Sequence, residues 1–401
     1  MNLKGLFAGL IVLAAGAASA QVDIIVRLVR PTDASYVATR YGILLVDRMP
    51  GTPFALYRAK NKNYASIIEP KMAIDPRIVW IEEDDEYTTP EGQGLKGAPY
   101  KGSTLPAVGD RSVLYKGNSN VLTQINFDKT AAATTGRTVR VAIIDTGLAP
   151  TQSYLWAKVD YSINFVEDGE DAYDIKKGYD SNGDGIFDAA VGHGTMVAGI
   201  IDQIAPRSRY TIIRVADSDG VGSAWGLIKG LGYAVSTGCE IANVSMGSLN
   251  DLPAMSDVMD WCEEKNLLVV ASMGNDGVRD AAFPARISKV IAVGGLLPDN
   301  TKAPFSNWDS KCDFSAPATG IISQWYDGQI GVWSGTSFAA PMVAGAIADG
   351  LKKVSRMPVG VLRDRIDKVG RNIDDLNPDY DGEIGVLLDV KRLVSAVRGG
   401  A

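Results

Sequence analysis

The sequence predicts an α/β protein: a parallel sheet covered by helices on both faces, preceded by a small α+β domain. Three observations predict it. From residue 139 to about 370, short apolar runs rich in β-branched residues alternate with longer helical stretches, the arrangement of a sheet buried on both sides. Residues 23 to about 87 read βαββαβ, the order of a ferredoxin-like sandwich. Between the two, glycines and prolines punctuate a polar stretch at 88–118 that reads as an exposed linker.

The elements follow in order. Residues 1–20 carry Lys4, an apolar run from Leu6 to Ala18 and small residues at Ala18-Ser19-Ala20, the pattern of a secretory signal. That run is too short to span a bilayer, so an exported, soluble mature protein is expected. In the small domain, 23–29 reads as a strand and 33–40 as a helix. Residues 43–48 and 54–59 read as strands, 62–73 as a helix and 78–83 as the last strand. In the larger region, Val139 to Asp145 forms a buried strand that runs into an acid and then Gly147. A helix starts at His193. A strand is expected at 210–216, a helix within 224–236, a strand at 240–246 and a helix within 255–265. Strands at 267–272 and 290–294, a tightly packed helix from Ser337 and a helical segment near 359–370 complete the pattern.

Composition narrows the function. With 46% apolar residues, 22% charged residues and a net charge of −7, the chain suits a globular protein with a large core. The acidic balance and the absence of a basic cluster argue against a nucleic-acid partner. The chain holds one histidine, which excludes any multi-histidine zinc site. Glycines flank it in Gly192-His193-Gly194, and a small-apolar helix follows, Thr195 to Ile201. An imidazole at a helix start is a base in need of a nucleophile and an orienting acid. Asp145 ends a strand, and Ser337 opens a helix in Gly335-Thr336-Ser337-Phe338-Ala339-Ala340-Pro341. The order Asp145, His193, Ser337 is one of three chain orders in which hydrolytic triads occur.

On these blocks the chain resembles the subtilisin-like serine proteases, the subtilase family, over roughly residues 119–398. A fourth block, Val269-Val270-Ala271-Ser272-Met273-Gly274-Asn275-Asp276-Gly277, carries the resemblance further. The resemblance implies a three-layer catalytic domain at 119–401 in which Ser337 attacks, His193 carries the proton and Asp145 orients the ring. It also implies that Asn275 and the Ser337 N–H hold the oxyanion, a role suited to a prepositioned amide beside a helix N-terminus. Gly222, Ser223 and Ala224, with Ser245, Met246 and Gly247, match edge segments that pair with a substrate backbone. Met246 and Met273 would wall the first specificity pocket, with no acid at its base apart from Asp280 nearby, so apolar or aromatic side chains are expected there. Residues 21–87 resemble in position a propeptide that inhibits its own enzyme, which implies a zymogen with cleavage in the linker. No organic cofactor is implied, and the partners are protein or peptide substrates. Some positions depart from the family pattern: Met342, Phe338, Ala318 and the loop after Gly147. Two other readings stay open: a protease dedicated to one substrate or to itself, and an exported binding protein without hydrolytic activity.

Two further features stand outside the triad. Export implies an oxidising compartment, so Cys239, Cys262 and Cys312 read as one bridge and one free thiol. Cys239 opens a strand and Cys262 lies late in the helix returning beside it, which favours Cys239–Cys262. Residues 160–188 hold nine acids against two lysines and end in Asp180-Ser181-Asn182-Gly183-Asp184-Gly185-Ile186-Phe187-Asp188. Oxygens at positions 1, 3, 5 and 9, a glycine at 6 and the Ile186 carbonyl at 7 follow the pattern of an EF-hand-type loop. A structural calcium ion held by Asp180, Asn182, Asp184, Ile186 and Asp188 is therefore expected, although Val191 stands where a bidentate acid belongs.

Overall fold

A computed structural model describes residues 21–49, 51–89, 103–105, 111–128, 135–167, 169–250 and 252–400. The signal segment at 1–20 lies outside these residues, as does most of the segment read as linker. Two compact units divide at Asp84 and Asp85.

In the first unit, four antiparallel strands lie in the order Leu44–Arg48, Phe54–Ala59, Val22–Leu28, Ile78–Glu83. Helices Ala34–Tyr41 and Lys62–Met72 complete the βαββαβ order. Alternation along the central strands sends Ile24, Val26, Leu28, Ala55 and Tyr57 into one core with Val37, Ile68 and Met72. Asn61 caps the second helix by accepting from Tyr64 N at 2.8 Å.

The second unit is organised around a nine-stranded sheet. Across it lie Gly370–Arg371, Val386–Leu388, Cys312–Pro317, Ile291–Leu296, Leu268–Ser272, Ile241–Val244, Arg140–Asp145, Arg209–Arg214 and Val159–Asn164. Every neighbouring pair is parallel except the first, Gly370–Arg371 against Val386–Leu388. Helices His193–Ile204 and Thr336–Leu351 pack together on one face, and Ala224–Ser236 and Pro253–Glu264 on the other. Both helices of the first pair are buried along their whole length, which their runs of Ala, Gly, Val and Ile permit. This is the three-layer α/β architecture that the alternation predicts. Among the described residues, no helix is long and apolar enough to cross a membrane.

Some elements carry weak signals in the sequence. Val159–Asn164 alternates apolar and polar residues but is a short, largely half-exposed edge strand, and Cys312–Pro317 mixes Asp, Ser and Pro. Within the stretch read as linker, Ser103–Leu105 pairs antiparallel with Ile330–Trp333, and Arg111–Gly117 is a helix. The next residue, Asn118, is buried, donating to Gln203 Oε1 at 2.8 Å and Ile322 O at 2.6 Å. The expected Cys239–Cys262 bridge does not form: all three thiols are free and buried. Cys239 Sγ is engaged by Thr211 Oγ1 at 3.3 Å, whereas Cys262 sits in apolar surroundings where burial alone pushes its thiol up. Sharing one layer of the fold does not bring two thiols to bonding distance.

Close helix packing yields a test. A Cβ on Gly350 would stand 2.7 Å from Val397 Cβ and 2.8 Å from its Cγ1. Gly350→Ala should therefore lower the melting temperature, because overpacking costs about 1–3 kcal/mol against a helix-propensity gain of about 1 kcal/mol. A raised melting temperature would show that the contact relaxes freely.

Candidate active site

Asp145 ends the strand where the sheet order reverses: the chain continues first towards Val159–Asn164 and Arg209–Arg214, then to Ile241–Val244 on the opposite side. Ligands of open parallel sheets bind beyond the carboxyl ends of strands at such a switch point. Asp145 is buried there, and its Oδ1 accepts from Thr146 N at 2.7 Å. The same oxygen lies 2.7 Å from His193 Nδ1. A carboxylate facing Nδ1 fixes that nitrogen as the donor and leaves Nε2 as the acceptor. The imidazole is fully buried, its ring edge-on to Trp333 at 5.7 Å between centroids and tilted against Phe338 at 5.3 Å. Phe338 is the residue after Ser337, so this contact brings the two helix starts side by side.

The backbone around His193 is held at every turn. Gly192 occupies the N-cap with φ 92° and contributes no side chain. Asp174, eighteen residues earlier, takes over the cap: its Oδ1 accepts from Gly192 N at 2.8 Å. Its Oδ2 accepts from Thr195 N at 3.2 Å and Thr195 Oγ1 at 2.7 Å. Thr146 Oγ1 accepts from Gly194 N at 2.9 Å, and Ala190 O from His193 N at 3.0 Å. Gly194 is required by space, since an added Cβ would overlap the Gly147 carbonyl and stand 3.1 Å from Asp145 Oδ1. Burial pushes the Asp174 carboxyl up to about 6 despite the Gly192 and Thr195 hydrogen bonds, and Asp145 adds to the rise.

Ser337 is the second residue of its helix, where backbone N–H groups have no intrahelical acceptor. Its hydroxyl donates to Ser245 O at 3.1 Å, and Ser245 Oγ donates to Ser337 O at 2.8 Å. Asn275 stands opposite: its Oδ1 accepts from Thr336 N at 2.9 Å and Thr336 Oγ1 at 2.8 Å. With its oxygen so engaged, the amide's orientation is fixed and its NH2 is the donor end. Asn307 in turn shapes the loop that carries Asn275. It donates to Met273 O at 3.2 Å and Asp276 Oδ2 at 3.0 Å, and accepts from Asp276 N at 2.9 Å and Val278 N at 3.3 Å.

A strand of the chain itself lies along the cleft. Glu86–Thr88 pairs antiparallel with Val221–Ser223, matching Tyr87 to Gly222, and Thr88 also pairs with Gly247. Ala224 N donates to Asp85 O at 2.8 Å, and Thr89 N to Gly220 O at 2.8 Å. Gly222, Ser223, Ala224 and Gly247 thus all meet an extended backbone. Met246 and Met273 do not line the adjoining cavity; both side chains are buried in the core. The cavity, of about 300 Å³, is bounded by Thr88, Gly247, Ser248, Gly274, Asp276 and Ala282. Its acids are Asp276 and, from the Glu86–Thr88 strand, Glu86, whereas Asp280 pairs with Arg286 at 2.6 Å. Gly247 and Gly274, which follow Met246 and Met273 in the chain, line the cavity instead.

The acidic segment divides. Asn182 Oδ1 accepts from Asp184 N at 2.9 Å, Asp184 Oδ1 from Ile186 N at 2.7 Å, and both Asp180 oxygens from Gly185 N at 3.3 Å. Asp188 is turned to other work: its Oδ1 accepts from Lys177 N, Gly178 N, Tyr179 N and, at 2.5 Å, from Ser218 Oγ. Burial alone would push its carboxyl up, but the Ser218 hydroxyl and these amides outweigh burial and hold it below its ordinary range. Asp188, position 9 of the expected calcium loop, thus also ties the loop to 177–179 and to Ser218. Among the described residues, no three carboxylate, thiolate or imidazole side chains gather to hold a metal ion.

Asp174 and Asn307 carry no motif of their own, and Thr146 and Thr336 lie inside the Asp145 and Ser337 blocks with no role legible there. One signal did point to the first: a helix starting at Gly192-His193 has no Ser, Thr, Asp or Asn at its cap and must borrow one.

Comparison with known proteins identifies the family. Residues 136–367 match the model of the subtilase family, Peptidase S8. The intracellular serine protease of Paenibacillus polymyxa is 32% identical over 229 residues, covering 54% of this chain and 67% of that protein. Subtilisin DY of Bacillus licheniformis is 30% identical over 253 residues, 60% of this chain and 86% of that protein. The minor extracellular protease Epr of Bacillus subtilis (strain 168) is 31% identical, but the chain spans only 32% of its length. A crystal structure of a lanthipeptide protease shares the fold with a TM-score of 0.59 at 22% identity, over 73% of this chain and 99% of that one.

Asn307→Ala would take the acceptor from the Asp276 and Val278 amides, while the Met273 carbonyl keeps Ala282 N. Each hydrogen bond lost costs about 0.5–1.5 kcal/mol, so the melting temperature should fall. Amide hydrogen exchange should quicken at 274–278 and remain unchanged in the Ile241–Val244 strand. Unchanged exchange in that loop would mean that Asn307 is not what holds it.

Proposed function

Because the chain belongs to the subtilase family of serine-type endopeptidases, we propose that it is a secreted protease made as a self-inhibited proenzyme and acting through Asp145, His193 and Ser337. In this reading Ser337 Oγ attacks the scissile carbonyl while His193 Nε2 takes its proton. The proton then passes to the leaving amine, and water completes the cycle by hydrolysing the acyl-enzyme. Asp145 holds Nδ1–H and stabilises the imidazolium. Asn275 Nδ2 and the Ser337 N–H receive the oxyanion at a helix N-terminus.

The observation that carries the proenzyme reading is the Glu86–Thr88 strand, hydrogen-bonded on both edges as a bound peptide would be. It precedes the catalytic region in the chain and leads at Thr89 into 90–102, so the maturation bond is assigned to that segment. Secretion rests on the sequence of residues 1–20. The cavity beside Thr88 would receive a substrate side chain, with acidic ones disfavoured by Asp276.

Calcium belongs to the proposal in reduced form. Asp180, Asn182 and Asp184 with the Ile186 carbonyl offer hard oxygens that suit it, while Asp188 fastens the loop to 177–179 and Ser218. A bound ion would stabilise the segment leading to His193.

Two experiments test this. The full chain should release a fragment ending between residues 90 and 102 and should then hydrolyse unfolded casein; Ser337→Ala should do neither. For subtilisin itself, the source of the figure, losing the nucleophile costs on the order of 10⁶ in kcat. Self-cleavage without casein turnover would favour a protease that processes only itself, and cleavage by Ser337→Ala would overturn the nucleophile assignment. Calcium at a hundredfold excess over Kd should add about 2.7 kcal/mol of stability, and Asp184→Ala should abolish the response in a melting titration. An identical response in the variant would remove the ion from this loop.

A further inference from the structure

The Asp145 carboxylate acts on the imidazole ring; nothing in the triad explains the second buried carboxylate beside it. Asp174 is fully buried, and each of its oxygens is spent on the first turn of the His193 helix: Gly192 N at 2.8 Å, Thr195 N at 3.2 Å and Thr195 Oγ1 at 2.7 Å. The Thr195 hydroxyl accepts from Ala149 N at 3.0 Å, so its own proton is committed to Asp174. The segment bearing Asp174 is fastened to the Asp145 turn in the same way. Leu148 N donates to Ala172 O at 3.0 Å, and the buried Arg214 guanidinium donates to Tyr173 O. Arg214 neighbours Asp145 in the sheet register. One chain of bonds therefore runs from the strand ends through 172–174 to the backbone on both sides of His193.

The geometry points to Asp174 as a positioning residue for the general base: its carboxylate grips Gly192 and Thr195 and so holds the His193 ring in register with Asp145 and Ser337. This rests on the protease reading given above. A helix N-terminus with no cap of its own favours a negative group there, and a base displaced by about 1 Å can lose on the order of 10² in rate.

The same geometry makes the grip sensitive to protonation. All three partners of Asp174 present hydrogens to it, so a carboxylic acid proton has no acceptor and must displace one of them. The charged groups facing it are Asp145 from the strand, His193 from the helix and Arg214 through the Tyr173 carbonyl. Burial first, with Asp145 adding, pushes the Asp174 carboxyl up to about 6. The sign follows: above that pH the carboxylate is ionised and the grip is made, and below it the grip loosens. The acid limb of kcat/KM should therefore carry two protonations, one on His193 and one on Asp174.

The test is the pH profile of peptide hydrolysis by the enzyme obtained from the full chain of wild type, Asp174→Asn and Thr195→Val. Wild type should lose activity on the acid side with a two-proton dependence. Asp174→Asn should show a one-proton limb and a kcat lower by on the order of 10², with KM changed less than about threefold. Thr195→Val keeps the carboxylate but removes a hydrogen bond that favours its ionised form, so one acid-limb step should move to higher pH. If Asp174→Asn does not fold, the Thr195→Val shift decides the matter, and an unmoved profile overturns the proposal. A folded Asp174→Asn with wild-type kcat and an unaltered limb overturns it equally. Failure of wild type to hydrolyse any peptide, with Ser337 unlabelled by a phosphonate probe, would overturn the protease reading beneath it instead.

Discussion

A helix that begins inside a protein brings unsatisfied N–H groups with it, and the His193 helix begins fully buried with a glycine as its cap. That constraint organises the catalytic unit. The N–H groups of residues 192 to 195 need four acceptors, and the fold supplies them from three directions. Asp174 arrives on a long excursion after the Val159–Asn164 strand, Thr146 on the turn after Asp145, and Ala190 from the approach to the helix. The glycine that leaves the cap empty also admits the close passage of backbone and ring that the site needs. A conventional cap at Gly192 would put a side chain where the Trp325 ring lies, 3.1 Å from the position of an added Cβ.

The groups proposed to carry the chemistry are legible in the sequence because each sits on a local pattern. Asp145 ends an apolar strand, Asn275 lies three residues past one, and His193 and Ser337 sit at the starts of helices of small residues, so hydrophobic periodicity brackets the blocks, while the role of Asn275 is implied by the resemblance to the subtilases. The alternation of strand and helix likewise gives the layers. What is not legible depends on closure of the fold. Asn307 lies in a polar stretch with no periodicity and acquires meaning only when the sheet brings it against 273–278. Asp174 and Asp188 occupy one acid-rich run, and sequence spacing groups the second with a metal loop. In the fold, one is stripped of water and its pKa raised; the other collects three amides and a hydroxyl and its pKa is lowered. Composition counts both simply as acids. Cysteine number misleads for a related reason, since parity says nothing of where two thiols face.

The oxyanion side repeats the logic of the base side with different atoms. Thr336 holds the Asn275 oxygen and Asn307 holds its loop, so a side chain at a turn acquires the rigidity of a sheet residue. Both halves of the site are thus loops made stiff by buried polar side chains whose donors and acceptors are matched, the condition under which a polar interior confers order.

The strand held between Val221–Ser223 and Gly247 has a consequence of a different kind. In the proposed maturation it leaves, and backbone donors and acceptors then face each other across a slot one strand wide, about 9–10 Å by ordinary sheet spacing. A helix has no outward N–H or C=O groups to offer such rails and, at roughly 10–12 Å across, does not enter between them. The slot is a sieve for backbone shape before it reads any side chain. A folded protein can pass only by unravelling a segment, so its susceptibility is set by its own local opening free energy, and resistance to this cleft is a property written into the partner.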